Sequence, residues 1–461
     1  MMNMEPIKLK NIAEAVGVQN DSEREVLRIS TDTRTIIPQS VFLALKGERF
    51  DGHRFVQQAA DAGAEALIVE QPVTVKQDIP VFLVKSTRGA LLQIARYYRM
   101  QFDIPVIGVT GSVGKTTTKE MIVAAISPKY HTLKTEGNLN NQIGLPQTLL
   151  RMDRTTEAAV VELGMDDFGQ IHNMSMSAVP SVSVITNIGH CHIQTLGSQE
   201  GILKAKLEIV DGMEETSPVI LNGDDPLLAK AAPGLKNAVL LYGIDNPECD
   251  VRAENIRETE SGLHFDVVVP SMDLRTAVHV PAYGRHHVLD ALSAFAVGML
   301  LQVAPEQMAE GLSQYRPTGM RQHIVPASGI RVVEDCYNAS PDSVCATLQA
   351  LTTMGTGRKI AVLGDMLELG GYTEEGHRRC GAKAAELKLE LVAVGESSRF
   401  TAEEARKHGG SVQWFATKEE AAAPLLAMLK TGDTVLFKGS HGVHMEELIE
   451  RVYTVWAKDV P

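Results

Sequence analysis

The sequence predicts an α/β protein of three domains, with a central P-loop-type, mostly parallel sheet and a C-terminal Rossmann-like doubly wound domain. Three observations support this fold class. The chain has 461 residues, which is too long for one hydrophobic core. Short apolar runs alternate with helical patterns throughout, as in parallel sheets covered by helices. The alternation restarts after Pro317-Thr318-Gly319, interpreted as a hinge, so we predict domains at residues 1–100, 101–316 and 317–461.

The composition is that of an ordinary globular protein. Apolar residues make up 44% of the chain, charged residues 22%, and the formal net charge is −13. A nucleic-acid partner would need a basic face, so we expect none. The five cysteines are scattered and lack C-x-x-C spacing, which indicates a reducing compartment and no zinc site. Without a signal peptide or a membrane span of ~18 apolar residues, we expect a cytoplasmic protein with no stable membrane insertion. We separately expect a monomer.

The first hundred residues predict a small α/β domain with two polar loops. Strands are predicted at 41–45 and 81–84, and helices at 54–62 and 90–99. The polar segments Ser30-Thr-Asp-Thr-Arg34 and Lys46-Gly-Glu-Arg-Phe-Asp-Gly-His53 follow strands, where α/β folds carry ligand loops. Ordinary solvated loops explain these segments equally well.

Residues 104–121 have the form of a phosphate-binding loop. A strand-like apolar run is followed by a glycine-containing turn, Lys-Thr and a helical pattern. Gly111 and Gly114 allow consecutive N–H groups to point at a phosphate, and the helix adds its positive dipole end. Lys115 can neutralise phosphate charge, and the Thr116 hydroxyl can ligate Mg²⁺. A tight turn that happens to carry Lys-Thr is the weaker alternative, and we predict an ATP site.

The remaining elements follow in order. Strands of the central domain are predicted at 158–163, 182–187, 218–221 and 239–242, an antiparallel pair at 262–270 and 276–281, and an apolar helix at 288–302. Strands of the last domain are predicted at 330–333, 359–363, 391–394, 412–415 and 434–437, with helices at 403–407, 418–429 and 445–456. Both regions therefore predict a parallel sheet with helices on its two faces.

Polar side chains at the ends of central strands are candidates for chemistry. Glu162 ends a strand next to the one that leads into the phosphate loop, which would place its carboxylate beside Mg²⁺; an exposed loop carboxylate is the alternative. Asn187, His190 and His192 follow the next strand, where one of the two histidines could reach phosphate or metal. Lys206 lies on a helical stretch, and from composition alone we expect only a solvent-exposed position on that helix.

The last domain offers a second polar rim. Asp335 and Asn338 lie between a strand and a helix, where they could cap the helix or hold a ribose or a base. Lys438 follows another strand at the same predicted edge. Arg321 lies just after the hinge, so domain closure could bring it onto the phosphates.

These residues together resemble a known family, the Mur ligases, which are ATP-dependent amide ligases of peptidoglycan synthesis. The loop Gly108-Val-Thr-Gly-Ser-Val-Gly-Lys-Thr-Thr-Thr118 has the Gly-x-Thr-Gly opening of that family. Other similar segments span nearly the whole chain in the right order and lie at 31–34, 46–53, 134–146, 162–165, 186–192, 205–209, 335–341, 363–370 and 438–440. They are most similar to the branch that adds D-alanyl-D-alanine to UDP-MurNAc-tripeptide.

The resemblance implies an activity. It implies an ADP-forming ligase that uses ATP and Mg²⁺, with two metal ions, and that activates the tripeptide carboxylate as an acyl phosphate. The first domain would bind the UDP-sugar-peptide and the central domain ATP. The last domain would bind the nucleotide rim and the incoming dipeptide.

The resemblance also implies roles for individual residues, carried over position by position. Catalysis falls to Lys115, Lys206, His192 and Arg321. ATP binding falls to Thr110, Gly111, Ser112, Val113, Gly114, Lys115, Thr116, Thr117, Asn187, Asp335 and Asn338. Substrate binding falls to Thr31, Arg34, Lys46, Asp51 and His53 around the UDP moiety, and to Thr135, Asn138 and Asn141 near the muramyl part. Metal binding falls to Thr116, Glu162, His192 and Lys206, the last as a carbamylated lysine.

The sequence departs from the family pattern at a few places. Val113 stands where the family usually has asparagine, whereas Val109, at a glycine of the general P-loop template, belongs to the family's own variant of that template. In the family segment Gly-x-His-Asn-x-x-Asn-Ala, both asparagines are replaced, by His287 and Asp290, which puts adenine contacts there in doubt. The Asp-Asn-Pro-Arg motif of a sister ligase is absent, which favours the dipeptide-adding branch.

A sister ligase of the same family, which would accept a different amine, is the nearest alternative, and two functions outside the family also remain open. A small-molecule kinase would use the same loop but release a phosphorylated product. A nucleotide-driven switch would need no second substrate pocket, and segments 46–53 and 134–141 would then have no role.

Overall fold

The computed structural model describes residues 4–47 and 50–458. They form three main sheets that follow one another along the chain, of four, nine and six strands, and a small two-stranded ribbon. The fold class predicted from the sequence is confirmed, since parallel strands dominate each main sheet. In the described part of the chain, no helix is both long and apolar enough to cross a bilayer.

The four-stranded sheet lies in the N-terminal part. Its elements are β1 (Ile7–Lys8), α1 (Leu9–Ala15), β2 (Glu25–Val26), β3 (Arg28–Ser30), β4 (Ser40–Leu43), α2 (Val56–Asp61), β5 (Ala64–Val69), β6 (Val81–Leu83) and α3 (Thr87–Arg99). Strands β3 to β6 pair in parallel in that order, and β1 pairs antiparallel with β2. Helix α3 is capped by the Ser86 hydroxyl, which accepts from the Gly89 N–H, and it packs against the central part of the chain.

Most N-terminal elements predicted from the sequence are confirmed, with one helix start in error. Residues Gly52–Phe55 form a 3₁₀ turn, so the helix predicted from residue 54 begins only at Val56. The cause is Asp51, whose carboxylate accepts from the His53 N–H and holds the chain in a tighter turn. Strand β5 was not predicted, because its short apolar run follows α2 directly and lacks any flanking strand signal.

The nine-stranded sheet contains the phosphate loop. Its elements are β7 (Val106–Thr110), α4 (Lys115–Ile126), β8 (Thr132–Lys134), α5 (Gly144–Leu149), β9 (Ala158–Glu162), α6 (Gln170–Ala178), β10 (Val182–Ile185), α7 (Ile193–Leu196), α8 (Gln199–Leu207), β11 (Val219–Asn222), α9 (Pro226–Ala231), β12 (Val239–Gly243), β13 (Val251–Thr259), β14 (Gly262–Val269), β15 (Leu274–Val280), α10 (Arg285–Leu300) and α11 (Pro305–Ser313). The strand order is β15-β14-β13-β12-β11-β10-β7-β9-β8, parallel from β8 to β13 and antiparallel beyond.

Strand β7 lies inside this sheet and divides two hydrophobic cores. Ile107 and Val109 face the core made with α4, α10 and α11, whereas Val106 faces the core made with α3 and α6. Its neighbours β9 and β10 run parallel to it, so the three strands end at one edge. This arrangement brings Thr110, Glu162 and the residues after Ile185 together, as the sequence predicts.

The predicted antiparallel pair is confirmed as β14 and β15, but β13 was missed. Strand β13 is rich in charged residues, and its outer face is exposed to solvent. A bulge between Glu254 and Arg257, with Asn255 at a φ of +54°, also interrupts the two-residue alternation that marks a strand.

The six-stranded sheet forms the C-terminal part. Its elements are β16 (His323–Ala327), β17 (Ile330–Glu334), α12 (Pro341–Leu351), β18 (Lys359–Gly364), α13 (Thr373–Glu386), β19 (Glu390–Val394), α14 (Ser398–Lys407), β20 (Val412–Phe415), α15 (Lys418–Met428), β21 (Thr434–Lys438) and α16 (Glu446–Val455). The order is β16-β17-β21-β18-β19-β20, and only β16 is antiparallel. Hydrophobic cores cover both faces, so the doubly wound prediction is confirmed.

Candidate active site

A cavity of about 660 Å³ lies where the carboxyl edge of the central sheet faces the carboxyl edge of the C-terminal sheet. It brings together most residues predicted to bind nucleotide or metal. Its lining includes Ser112, Val113, Gly114, Lys115, Thr116, Thr117, Asn138, Asn141, Glu162, Asn187, His192, Arg321, Asp335 and Asn338. Residues separated by more than 200 positions in the sequence therefore share one site.

The phosphate loop has the backbone that its glycines predict. Gly111 has a φ of +149°, and a Cβ there would lie 1.8 Å from the Thr186 Oγ1, so no other residue fits without movement. Gly114 has a φ of +87° and stands directly before α4. The Asn187 side chain accepts from the Val113 N–H and donates to the Val113 carbonyl, both at 2.9 Å. Val113 therefore holds the loop through its backbone, although its side chain cannot hydrogen-bond.

Lys115 is folded over the loop that it follows. Its Nζ donates to the Gly111 carbonyl at 2.7 Å and approaches the Ser112 carbonyl at 3.4 Å. Among the residues described, it has no carboxylate partner within ion-pair distance, so its positive charge is available to an anion in the cavity.

Thr116 and Glu162 form an oxygen-rich pair below the loop. The Thr116 hydroxyl donates to the Glu162 Oε2 at 2.8 Å, and the Asn140 side-chain amide donates to the other oxygen at 2.8 Å. Glu162 is buried. A hydroxyl and a carboxylate are the hard oxygen ligands that Mg²⁺ prefers, although no cluster of three His, Cys, Asp or Glu side chains occurs in the described part of the chain. Phosphate oxygens would have to complete such a site.

His192 and Lys206 lie close to Lys115 and carry strongly shifted pKa values. Burial lowers the pKa of His192 to about 4, and the charges of Lys115 and Lys206 act in the same direction, so this imidazole is neutral at pH 7. Burial also lowers the pKa of Lys206 well below its ordinary value, and the Lys115 charge lowers it further. Lys206 is 2% exposed, and its side-chain nitrogen makes no hydrogen bond or ion pair with any described residue.

The opposite wall comes from the C-terminal sheet. The Asp335 carboxylate accepts from the Lys438 Nζ at 2.8 Å and from the Thr347 hydroxyl at 2.9 Å. The Asn338 side chain accepts from the Ala339 N–H, which shapes the turn before α12. These contacts place both predicted residues in the wall but occupy part of their hydrogen-bonding capacity.

Arg321 enters the cavity from the hinge segment. Its guanidinium carbon lies 4.0 Å from the centre of the Tyr337 ring, and this ring stacks on His441 at 5.8 Å. Within the described residues, Arg321 makes no ion pair or hydrogen bond. Its donors are therefore free to bind an anion opposite Lys115.

The central and C-terminal parts touch beside the cavity. The Asp342 carboxylate accepts from the Arg379 guanidinium at 2.7 Å and lies 3.2 Å from the His190 Nδ1. The His190 ring also stacks on Tyr372 with centres 4.9 Å apart. Of the two histidines considered from the sequence, His190 thus joins the two parts and His192 lies at the cavity.

Several predicted site residues lie outside this cavity. The Thr110 hydroxyl donates to the Leu163 carbonyl, and the buried Thr135 hydroxyl accepts from the Glu162 N–H at 3.0 Å, so both support the strand edge. Gly111 and Lys206 are not among the residues that line the cavity. Nothing in these positions assigns a ligand contact to Thr110 or Thr135.

The residues predicted around UDP form a separate group on the N-terminal sheet. The Gln147 amide reaches the Thr31 hydroxyl at 3.5 Å across the boundary to the central part. Arg34 is exposed and paired with Asp32 at 2.6 Å. In the second loop, His53 is buried, its Nε2 accepts from the Glu70 N–H, and its Nδ1–H therefore donates to Asp51 at 2.7 Å.

Lys46 pairs with Asp51 as an isolated β-bridge that closes this loop. Glu48 and Arg49, which belong to the similar segment 46–53, lie outside the described residues. The sequence did not single out Asn140, Tyr337, Tyr372 or Arg379 for these contacts. Asn140 and Tyr337 lie inside the similar segments 134–146 and 335–341 but were given no role there, and Tyr372 and Arg379 lie outside every such segment. Their partners lie far away in the sequence, so no local pattern indicates the contacts.

Three models of one family match the chain. They are "Mur ligase family, catalytic domain" over residues 25–99, "Mur ligase middle domain" over residues 109–298 and "Mur ligase, glutamate ligase domain" over residues 320–441. Each match coincides with one of the three main sheets.

Similar proteins include bacterial enzymes named UDP-N-acetylmuramoyl-tripeptide--D-alanyl-D-alanine ligase. The one from Bacillus subtilis (strain 168) is 40% identical over 452 residues, which cover 96% of this chain and 97% of the relative. The one from Escherichia coli (strain K12) is 35% identical over 428 residues, which cover 91% of this chain and 92% of the relative.

Similar solved structures cover the same length. MurF from Acinetobacter baumannii superposes with a TM-score of 0.91 at 34% identity, covering 98% of this chain and 99% of that one. The MurF ligase from Thermotoga maritima, solved in complex with ADP, has a TM-score of 0.84 at 29% identity. The superposition covers 93% of this chain and 97% of that one. The similarity therefore includes all three sheets and the cavity between them.

Proposed function

The chain belongs to the Mur ligase family, and on this premise we propose that it is an ATP-dependent, ADP-forming ligase that joins D-alanyl-D-alanine to UDP-MurNAc-tripeptide in peptidoglycan precursor synthesis. The relatives that carry this activity in their names match nearly the whole chain. The single observation that carries the proposal is the shared cavity, in which Lys115 of the phosphate loop faces Arg321 from the C-terminal part, and neither cation pairs with a carboxylate of the described residues.

The chemistry explains why ATP is needed. A carboxylate is a poor electrophile because its leaving group would be oxide. A carboxylate oxygen of the tripeptide attacks the γ-phosphorus, the bond between that phosphorus and the β–γ bridging oxygen breaks, and ADP leaves. The amine of the dipeptide then attacks the acyl carbon, and the amide bond forms as inorganic phosphate leaves and the nitrogen loses a proton. The protein contributes positioning and charge neutralisation.

Lys115 and Arg321 provide the two cationic groups for this transfer. Lys115 lies at the loop, where the terminal phosphates of ATP would bind, and Arg321 lies across the cavity on the Tyr337 ring. Charge that develops on the transferred phosphoryl group would lie between them. The asparagine and aspartate of the C-terminal wall, Asn338 and Asp335, would contact the nucleotide.

The oxygen pair of Thr116 and Glu162 fits a Mg²⁺ ion, and His192 is neutral and can act as a ligand. Mg²⁺ would supply charge neutralisation at the phosphate oxygens. The chain's own contribution is to hold the Glu162 carboxylate in a fixed orientation through Thr116 and Asn140. A second ion would be held by Glu162, His192 and a modified Lys206.

The surroundings of Lys206 favour a carbamate. A buried ammonium without a partner beside a second ammonium is costly, and its lowered pKa increases the neutral amine at pH 7. The neutral amine can add CO₂, with loss of one proton, to give a carbamate of charge −1. Attraction to Lys115 and to a metal ion would then replace repulsion.

The positions of the sites support a division of roles between the three domains. We assign residues 1–100 to the UDP-sugar-peptide, 101–316 to ATP and 317–461 to the nucleotide rim and the dipeptide. Thr31, Arg34, Lys46, Asp51 and His53 would line the UDP end. Asn138 and Asn141 would lie between this end and the phosphate loop. The protein would act as a cytoplasmic monomer.

The test is product formation with defined substrates. The full chain is incubated with MgATP and UDP-MurNAc-tripeptide, with D-alanyl-D-alanine, with single amino acids or with no amine. ADP formation only with the dipeptide, and a product whose mass has increased by the dipeptide minus water, is the expected result. Turnover with a single amino acid on a shorter precursor would assign a sister ligase instead. An equal rate of ADP release with and without an amine would exclude a ligase.

A further inference from the structure

Asp290 is a buried carboxyl group in the cavity wall that no step of the proposed reaction uses. It lies on α10, is 7% exposed, and lines the cavity. Its Oδ1 accepts a hydrogen bond from the Thr118 hydroxyl at 2.6 Å. Its Oδ2 has no hydrogen-bond partner among the residues described. Asp290 is therefore more than nine-tenths buried, borders a ligand cavity, and has a hydrogen-bond partner for only one of its two carboxyl oxygens among the residues described.

This carboxyl group also borders the phosphate loop. Thr118 belongs to the first turn of α4, and a Cβ on Gly114 would lie only 3.1 Å from the Asp290 Oδ1. Gly114 is the residue from which the loop passes into the helix N-terminus, the part that attracts phosphate. An ionised carboxylate at this place would oppose the field that binds a nucleotide.

The groups that face Asp290 do not neutralise a negative charge. On α4, which packs against α10, the Lys115 Nζ donates to the Gly111 carbonyl and the buried Lys119 Nζ donates to the Thr135 carbonyl, so neither cation pairs with Asp290.

Across the rest of the helix packing, the phenols of Tyr242 on β12 and Tyr315 after α11 face Asp290, and burial raises the pKa of both. Asp224 and Asp225, which follow β11, add negative charge beside Tyr242. No cation pairs with Asp290 in the described part of the chain.

On its own helix, Asp290 has only a neutral neighbour. His287 has its Nδ1 2.7 Å from the Tyr283 carbonyl, and burial lowers its pKa. Burial raises the pKa of Asp290 to about 7, with the Thr118 hydroxyl acting in the opposite direction. The acid and its anion are therefore both populated near neutral pH.

We propose that Asp290 is a positioning residue of the nucleotide site that works as the neutral acid, so that nucleotide binding requires its proton. The neutral carboxyl keeps its hydrogen bond with Thr118 and leaves the phosphate loop without an opposing charge. The anion repels the polyphosphate. The inference rests on the proposed nucleotide binding at this loop and adds a pH dependence to it.

The sign of the effect follows from linkage. Only the fraction of the protein with a neutral Asp290 is competent, and above the pKa this fraction falls almost tenfold per pH unit. Binding therefore takes up a proton when the free protein is partly ionised, and nucleotide affinity falls as the pH rises through about 7.

The experiment is titration calorimetry of the full chain with MgADP at pH 6.5 and pH 8.5, in two buffers with different heats of ionisation. The expected dissociation constant is on the order of 10-fold larger at pH 8.5, with net proton uptake. Asp290→Asn should bind with nearly equal affinity at both pH values and without that uptake. Asp273→Asn, which removes a charge from an exposed turn between β14 and β15, should behave as the unmodified protein.

A second variant gives a response that a purely structural role would not produce. The Thr118 hydroxyl stabilises the Asp290 anion and so lowers the pKa of Asp290. Thr118→Val removes this hydroxyl, so the pKa should rise and the loss of nucleotide affinity should occur at a higher pH. Equal pH dependence in the unmodified protein and Asp290→Asn would overturn the inference while leaving the proposed function intact. No MgADP binding at either pH would overturn both.

Discussion

At the scale of single residues, burial gives ordinary side chains unusual properties. Lys204 and Lys206 lie on the same helix, and their sequence context hardly separates them. The structure exposes Lys204, which lies over the Phe168 ring, and buries Lys206 beside Lys115. Residues two positions apart on a helix point in nearly opposite directions, so Lys204 faces solvent and Lys206 faces the site.

The first prediction contrasts these two lysines. Lys206→Ala should lower kcat roughly 10- to 100-fold, because a metal-supporting carbamate would be lost. Lys204→Ala, its control on the same helix, should stay within about twofold. Steady-state ADP formation measures both, and depletion of CO₂ and bicarbonate should lower the activity of the unmodified protein. Equal activity of the two variants would contradict a role for Lys206.

The second prediction concerns the ring beneath Arg321. Tyr337→Leu should lower kcat about 5- to 30-fold by removing a contact of about 1–2 kcal/mol, with little change in KM for D-alanyl-D-alanine. Tyr337→Phe keeps the ring and should retain activity. If Phe is as damaging as Leu, the hydroxyl and not the ring is what matters, and the positioning argument fails.

At the scale of elements, the phosphate loop is specified by short-range constraints. Gly111 is required because Thr186 leaves no space for a Cβ, and Asn187 fixes the loop through the Val113 backbone. The loop was visible in the sequence because these constraints select glycine at fixed spacing. The partners that hold it come from the strand β10 end and were visible only as polar residues after an apolar run.

The third prediction tests this rigidity. Gly111→Ala should weaken MgADP binding at least about 100-fold, or about 2.7 kcal/mol, since the new Cβ would displace Thr186. Gly234→Ala, where a Cβ meets nothing within 4 Å, is the matched control and should bind normally. Binding of Gly111→Ala within threefold of the control would show that the loop can adapt.

Sequence reasoning located most strands of the two larger sheets but not their order. Buried parallel strands such as β9 and β18 are continuous apolar runs and are easily found. Strand β13 has a bulge and an exposed, charged face, so its pattern is lost. The order within each sheet depends on contacts between distant segments, about which a single sequence contains no local signal.

At the scale of the whole molecule, the site exists only because two sheets face each other. Family resemblance suggested residues on both, but the contacts that join them were not predictable. Asp342 bridges His190 of the central part and Arg379 of its own part, across 152 positions in the first case. Neither partner carries a motif that would reveal the pairing.

The fourth prediction concerns this bridge. Asp342→Asn should reduce kcat/KM for ATP about 10-fold and increase the radius of gyration of the MgADP complex in small-angle scattering, because charge-assisted hydrogen bonds of about 1.5–3 kcal/mol are lost. Glu386→Gln removes an exposed ion pair on α13 and should change neither quantity. A normal radius together with reduced activity would place the effect at the site and not at the interface between sheets.

The central claim is that the tripeptide carboxylate is phosphorylated by ATP before the amide forms. The most direct measurement starts from UDP-MurNAc-tripeptide labelled with ¹⁸O in its terminal carboxylate and analyses the phosphate released with MgATP and D-alanyl-D-alanine by mass spectrometry. One labelled oxygen in each phosphate is the predicted result, because the attacking oxygen leaves with the phosphoryl group when the amine attacks the acyl carbon. Phosphate without label would contradict the claim, since it would mean that water and not the carboxylate had attacked ATP.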